Sequence, residues 1–85
     1  MIREEILEKI LEKVTDIISN NLGIEKEEIS VKSSLMHDLN ADSLDAIEII
    51  MGIESEFDFN ISDEEAEGLV TVKNIVDYVE KRLNG

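Results

Sequence analysis

The sequence predicts an all-α fold, a small four-helix bundle with a long first connection and a short third helix. Three observations predict it. Apolar residues recur at helical spacing in long segments. No stretch alternates with period 2 for long enough to make a strand, and the chain contains no proline to interrupt a helix. Leu, Ile, Val and Phe make up about a third of the 85 residues, well above the roughly 20% of disordered chains. The length fits one domain over 1–85, with a core that buries only about 60–65% of the unfolded surface.

The first helix is expected over residues 2–22. Ile2, Ile6, Leu7, Ile10, Leu11, Val14, Ile17, Ile18 and Leu22 fall on one half of a wheel, and Glu4, Glu5, Glu8, Lys9, Glu12, Lys13 and Asp16 take the other. Asn20, Asn21 and Gly23 supply the stop, with Gly23 suited to a left-handed cap. Residues 23–42 show no steady period. They read as a loop that folds back, buries a few anchors and holds at most a short helical turn; loops this long are uncommon unless functional.

The second helix is expected over residues 43–57, with Asp42 as N-cap and Asp45 in a capping-box position. Ile47, Ile49, Ile50, Ile53 and Phe57 cluster on its inward arc, and Asp58-Phe59-Asn60 breaks the pattern. Ser62 or Asp63 can cap a short third helix over Glu64–Gly68. Thr71 can cap a fourth, where Val72, Ile75, Val76, Val79 and Leu83 share a face flanked by Tyr78.

Charge narrows the function. Eight Lys and Arg stand against 21 Asp and Glu, a formal charge of −13. That opposes nucleic-acid binding, which needs clustered cations. Without cysteine and with His37 alone, a disulfide framework, a thiolate nucleophile and a structural zinc site are not expected. No apolar run is long enough for a membrane span, and the acidic first five residues lack a secretory core, so a cytosolic chain is expected.

Asp38, Asn40 and Asp42 match positions 1, 3 and 5 of a calcium-binding EF-hand loop. Ser43 then stands where the Gly should be and Ile49 where the bidentate Glu should be. Asp58-Phe-Asn60-Ile-Ser62 fails in the same way. No metal site is expected. A Ser43–His37–Asp hydrolase lacks a G-x-S-x-G elbow, and an 85-residue bundle has little room to enclose a substrate. No catalytic residue is expected.

Ser43 itself sits at a helix start, where free N–H groups and the positive dipole end favour an attached phosphate; a plain capping-region serine is the alternative. Leu44 and Met51 lie at the edge of the apolar arc beside Glu48. They are either boundary positions or apolar contacts of a docking face ringed by charge. Gly52 weakens a helix interior by roughly 1 kcal/mol against Ala, and is either tolerated or permits close helix approach.

Asp38-Leu-Asn-Ala-Asp-Ser43-Leu-Asp45, then Ile47-Glu48-Ile-Ile-Met51, resembles an acyl carrier protein of dissociated bacterial fatty acid synthesis. The likeness continues through Glu56-Phe57-Asp58, Ile61-Ser-Asp-Glu-Glu-Ala-Glu67, Thr71-Val72 and Asp77-Tyr78. It implies a four-helix bundle whose serine, here Ser43, carries phosphopantetheine attached from coenzyme A by a phosphopantetheinyl transferase (holo-acyl-carrier-protein synthase). The arm would hold acyl chains as thioesters and present them to fatty acid synthesis enzymes and acyltransferases with basic surfaces. A thioester carrier without cysteine must import its thiol, so the likeness agrees with the composition. By the same likeness Asp42, Leu44, Asp45, Glu48, Met51 and Glu54 are the partner-binding residues. Ile53, Phe57, Ile61, Ala66, Leu69 and Ile75 are the expected acyl-chain lining. The family's usual Gly before the motif is Asn40 here, its usual Pro is Ser62, and Ser55 and Gly68 also depart from it. A cytoplasmic monomer is expected. The rival readings are a carrier for polyketide, lipid A or aminoacyl chemistry, and a small acidic calcium-responsive or partner-binding module without a prosthetic group.

Overall fold

A computed structural model describes residues 3–84. Ile2, expected on the first apolar face, lies outside them. Four α-helices follow in order: α1 Arg3–Leu22, α2 Ser43–Phe57, α3 Asp63–Glu67 and α4 Val72–Asn84. A 3-10 turn at Lys26–Glu28 is the short helical turn within the long connection.

The core forms where the predicted faces meet. α1 contributes Ile10, Val14 and Ile18, α2 contributes Ile49 and Ile53, and α4 contributes Val72, Ile75, Val76 and Val79. α1 packs against both α2 and α4, whereas α3 meets the other helices only lightly. Close approach of α1 and α2 depends on Gly52: a Cβ there would lie 2.9 Å from Ile17 Cγ2.

Helix ends follow local chemistry. Gly23 takes a left-handed φ of 68° after α1, and Asp58 takes 57° after α2. Asp42 caps α2, and Ser62 caps α3, which begins at Asp63, one residue before the expected start. Thr71 Oγ1 accepts from Asn74 N, capping α4.

The long connection is fastened to the α3–α4 loop by backbone. Leu35 N donates to Val70 O (3.0 Å), Val72 N to Ser33 O (3.1 Å) and Lys73 N to Val31 O (2.9 Å). Two open donors at the start of α4 are thereby satisfied by carbonyls of a distant segment. Of the connection's apolar residues, Leu35 and Ala41 enter the core, Ile24, Ile29 and Leu39 are half-buried, and Val31 and Met36 stay exposed.

Cations are used sparingly. Lys13 pairs with Glu56 across α1 and α2, Lys26 with Asp16, and Lys73 with Asp77. All are exposed pairs of small individual weight. Between Ser33 and Val72 the sequence has acids but no Lys or Arg. Of those acids, only Glu56 forms an ion pair with a described side chain.

Candidate functional site

Ser43 is the exposed first residue of α2, and the preceding turn explains why. Ala41 is buried and donates its N–H to Leu35 O (2.8 Å). Asn40 turns the chain through a φ of 60°, a conformation that Asn adopts more readily than most residues. Asp42 then closes the helix: its Oδ1 accepts from Asp45 N (2.8 Å), and Asp45 Oδ2 accepts from Asp42 N (3.1 Å). With Ala41 planted inward and Asp42 at the cap, Ser43 comes to the surface.

The Ser43 hydroxyl and the N–H groups of Ser43 and Leu44 have no hydrogen-bond partner among the described residues. Those N–H groups stand at the positive end of a four-turn helix, where an anion is stabilised. The adjacent carboxylates of Asp42 and Asp45 are directed onto backbone N–H groups. A phosphodiester on Ser43 fits this arrangement: the oxygen is accessible and unpaired donors are at hand.

His37 is exposed, and its N–H donates to Ser34 Oγ (3.3 Å); it makes no hydrogen bond with Ser43 among the described residues. Asp38 Oδ2 accepts from Ser34 N (2.6 Å), shaping the turn before the serine.

Along α2 an apolar stripe faces outward. Leu44, Ile47 and Met51 are 63%, 56% and 59% exposed, at positions i, i+3 and i+7. Ile47 differs from its expected inward place. Seven apolar residues crowd the first eleven of α2, more than one bundle-facing arc can cover, and burial goes to Ile49 and Ile53. The width of that apolar arc was the available signal.

The four acids assigned to this surface differ in their surroundings. Asp42 and Asp45 form the capping box. Glu54 is half-buried, and its Oε2 accepts from Ile61 N (2.8 Å), anchoring the α2–α3 loop. Glu48 is exposed and neither hydrogen-bonded nor ion-paired among the described residues.

Behind the stripe, a cavity of about 430 Å³ opens between α2 and α3. Ile61, Ala66 and Leu69, all expected as lining, border it. Leu35, Ala46, Ile47, Ile50 and Met51 border it as well, although the sequence did not single them out for it. Ile53 and Ile75 lie fully buried in the core instead, and Phe57 stacks on Phe59 with centroids 6.2 Å apart.

Comparison with known proteins bears on this site. Residues 12–79 match the family described as "Phosphopantetheine attachment site". The chain is 47% identical over 72 residues to an acyl carrier protein of Cyanidioschyzon merolae, covering 85% of this chain and 79% of that one. It is 49% identical over 69 residues to an acyl carrier protein of Syntrophobacter fumaroxidans, covering 81% and 85%.

Proposed function

The chain belongs to the acyl carrier protein family, and on that premise we propose that it carries acyl groups for fatty acid synthesis on a phosphopantetheine arm joined to Ser43. The supporting observation is Ser43 itself, exposed at the start of α2 beside two N–H groups that are unpaired among the described residues, and inside the matched segment. The arm supplies the thiol, and so the thioester linkage, that a chain without cysteine lacks. The protein's own part is to hold the attachment point at a rigid helix end, to steer partners and to shelter the cargo.

Steering falls to α2. Leu44, Ile47 and Met51 offer apolar contact, and Glu48 with Asp42, Asp45 and Glu54 sets a negative field that attracts basic partners. These partners are the phosphopantetheinyl transferase and the enzymes and acyltransferases of fatty acid synthesis. The acyl chain's shelter is the α2–α3 cavity, with Ile61, Ala66 and Leu69 as lining. The 85 residues act as one carrier domain, a cytoplasmic monomer without catalysis of its own. Among the described residues no helix is long and apolar enough to cross a membrane.

The test is mass measurement after incubation with coenzyme A and a transferase. The wild type gains one phosphopantetheine and Ser43→Ala gains none, with stability altered by about 1 kcal/mol or less because Asp42 is the cap. An adduct on the Ala variant, or one mapped to Ser33, Ser34 or Ser62, overturns the assignment.

A further inference from the structure

α3 has five residues, none of them buried. A helix this short does not hold itself together in water. It nevertheless forms one wall of the α2–α3 cavity through Asp63, Ala66 and Glu67. The buried residues on either flank, Ile61 and Leu69, anchor it, and a polar cluster borders its opposite face.

That cluster stands in a second, larger groove of about 740 Å³ between α3 and α4. From α3 comes Glu65, whose Oε1 accepts from Ser62 N (3.3 Å) and Ser62 Oγ (3.1 Å). From α4 come Tyr78 and Arg82. Arg82 Nη1 donates to the Tyr78 hydroxyl (2.6 Å) and to Asn60 O (2.8 Å). Its guanidinium lies 4.6 Å from the Phe59 ring centroid and 5.6 Å from that of Tyr78. Phe59 and Tyr78 meet edge to face at 6.0 Å. One arginine thus ties the end of α4 to the loop that leads into α3.

The two spaces share a wall. Leu69 borders both, while Asp63, Ala66 and Glu67 face the cavity and Glu65 and Gly68 face the groove. With the core packed behind α2, the open space on the far side of α3 is the groove toward α4, which Tyr78 and Arg82 line.

We propose that Tyr78 and Arg82 act as a stop for α3, setting how far it moves from α2 and so the longest acyl chain the cavity accepts. This rests on the reading of that cavity as the acyl shelter. The two are positioning residues: they act on the chain through α3, not by touching it. The chemistry suits a stop that yields gradually, since cation–π and hydrogen-bond contacts at an exposed site are each weak and re-form readily.

Two variants test it, Arg82→Gln and Tyr78→Phe, the second removing only the hydroxyl. Hydrogen exchange is followed first on the unloaded protein, at the Ala66, Gly68 and Leu69 amides, which bond to Ser62, Glu65 and Ala66 carbonyls. Exchange there is expected to accelerate about tenfold in Arg82→Gln and less in Tyr78→Phe, with Val14 and Val79 amides changed much less. Thermal midpoints are then measured on protein loaded with saturated chains of four to sixteen carbons. The midpoint rises with chain length to a plateau, and the plateau moves to longer chains in the variants. Equal acceleration at α3 and core amides overturns the proposal, because it shows general loosening. So does an unmoved plateau. If no chain stabilises the wild type, the shelter reading fails and takes the chain-length inference with it, while the exchange data still decide whether Arg82 and Tyr78 hold α3.

Discussion

Replacing Gly52 with Ala should destabilise this protein, although Ala is the better helix former. In an exposed helix interior the change gains roughly 1 kcal/mol. At Gly52 the new methyl would stand 2.9 Å from Ile17 Cγ2, where carbon atoms normally rest about 3.5–4.0 Å apart. Ile17 cannot readily yield. It is β-branched on a helix, so its χ1 is held in one well, and forcing it off-rotamer costs about 0.5–1.5 kcal/mol. The other escape is to move α2 from α1, which loosens the core built from Val14, Ile18, Ile49 and Ile53. Overpacking of this kind costs about 1–3 kcal/mol, so the net expectation is a loss of about 1 kcal/mol. In a domain of this size that lowers the thermal midpoint by about 4–8 °C. Urea unfolding of a double-mutant cycle isolates the cause. In an Ile17→Ala background the clash is gone, and Gly52→Ala should turn stabilising by about 0.5–1 kcal/mol. The same stabilisation in both backgrounds would refute the close-packing argument.

Three further outcomes are expected. Glu48→Lys should slow association with a basic partner and flatten its dependence on salt, whereas Met51→Ala should mainly speed dissociation; stopped-flow rates separate them, and equal effects from Glu8→Lys would show that net charge alone matters. Glu54→Ala should lower stability by about 1–3 kcal/mol in urea titration, because it strands the Ile61 N–H, so any loss of partner binding in that variant must be corrected for unfolding. Hydrogen bonds from Ser62, backbone then side chain, hold the Glu65 carboxyl below its ordinary pKa, with Tyr78 and Arg82 assisting. A depressed folded pKa gives stability that is present above the unfolded value, about 4.3, and is lost as pH falls through the folded one. The urea midpoint of Glu65→Gln should therefore fall less than that of the wild type on acidification through this range.

Most of the fold was legible because it rests on periodicity and caps. The apolar faces of α1 and α4 placed Val14, Ile18, Ile75 and Val79 in the core, and Asp42, Ser62 and Thr71 are caps as the local chemistry requires. The D-S-L segment drew attention to Ser43, and the structure puts that serine in the open. What escaped was set by distant neighbours. Nothing in residues 31–35 announces that their carbonyls and N–H groups bond to residues 70–73. Ile47 looks as apolar as Ile49, and only the bundle's geometry decides which is covered. Ile53 and Ile75, which the likeness sets beside a cargo, are fully buried in the core, a depth that a helical wheel does not reveal because it gives direction alone. The partners of Arg82, Asn60 and Phe59, are more than twenty residues away, a pairing that no local pattern announces.

The fastening of the long connection has a consequence for the order of assembly. The turn that presents Ser43 is held through a relay: Ala41 N bonds to Leu35 O, and Leu35 N bonds to Val70 O. Val72 and Lys73 extend the same tie to Ser33 and Val31. A chain emerging from the ribosome has its serine long before it has these acceptors and donors. Closing a loop of almost forty residues is entropically costly until α4 packs and repays it. The bonds at the helix start itself, Ala41 N to Leu35 O and the Asp42–Asp45 pair, are local, whereas those that fasten the connection behind it come from residues made later.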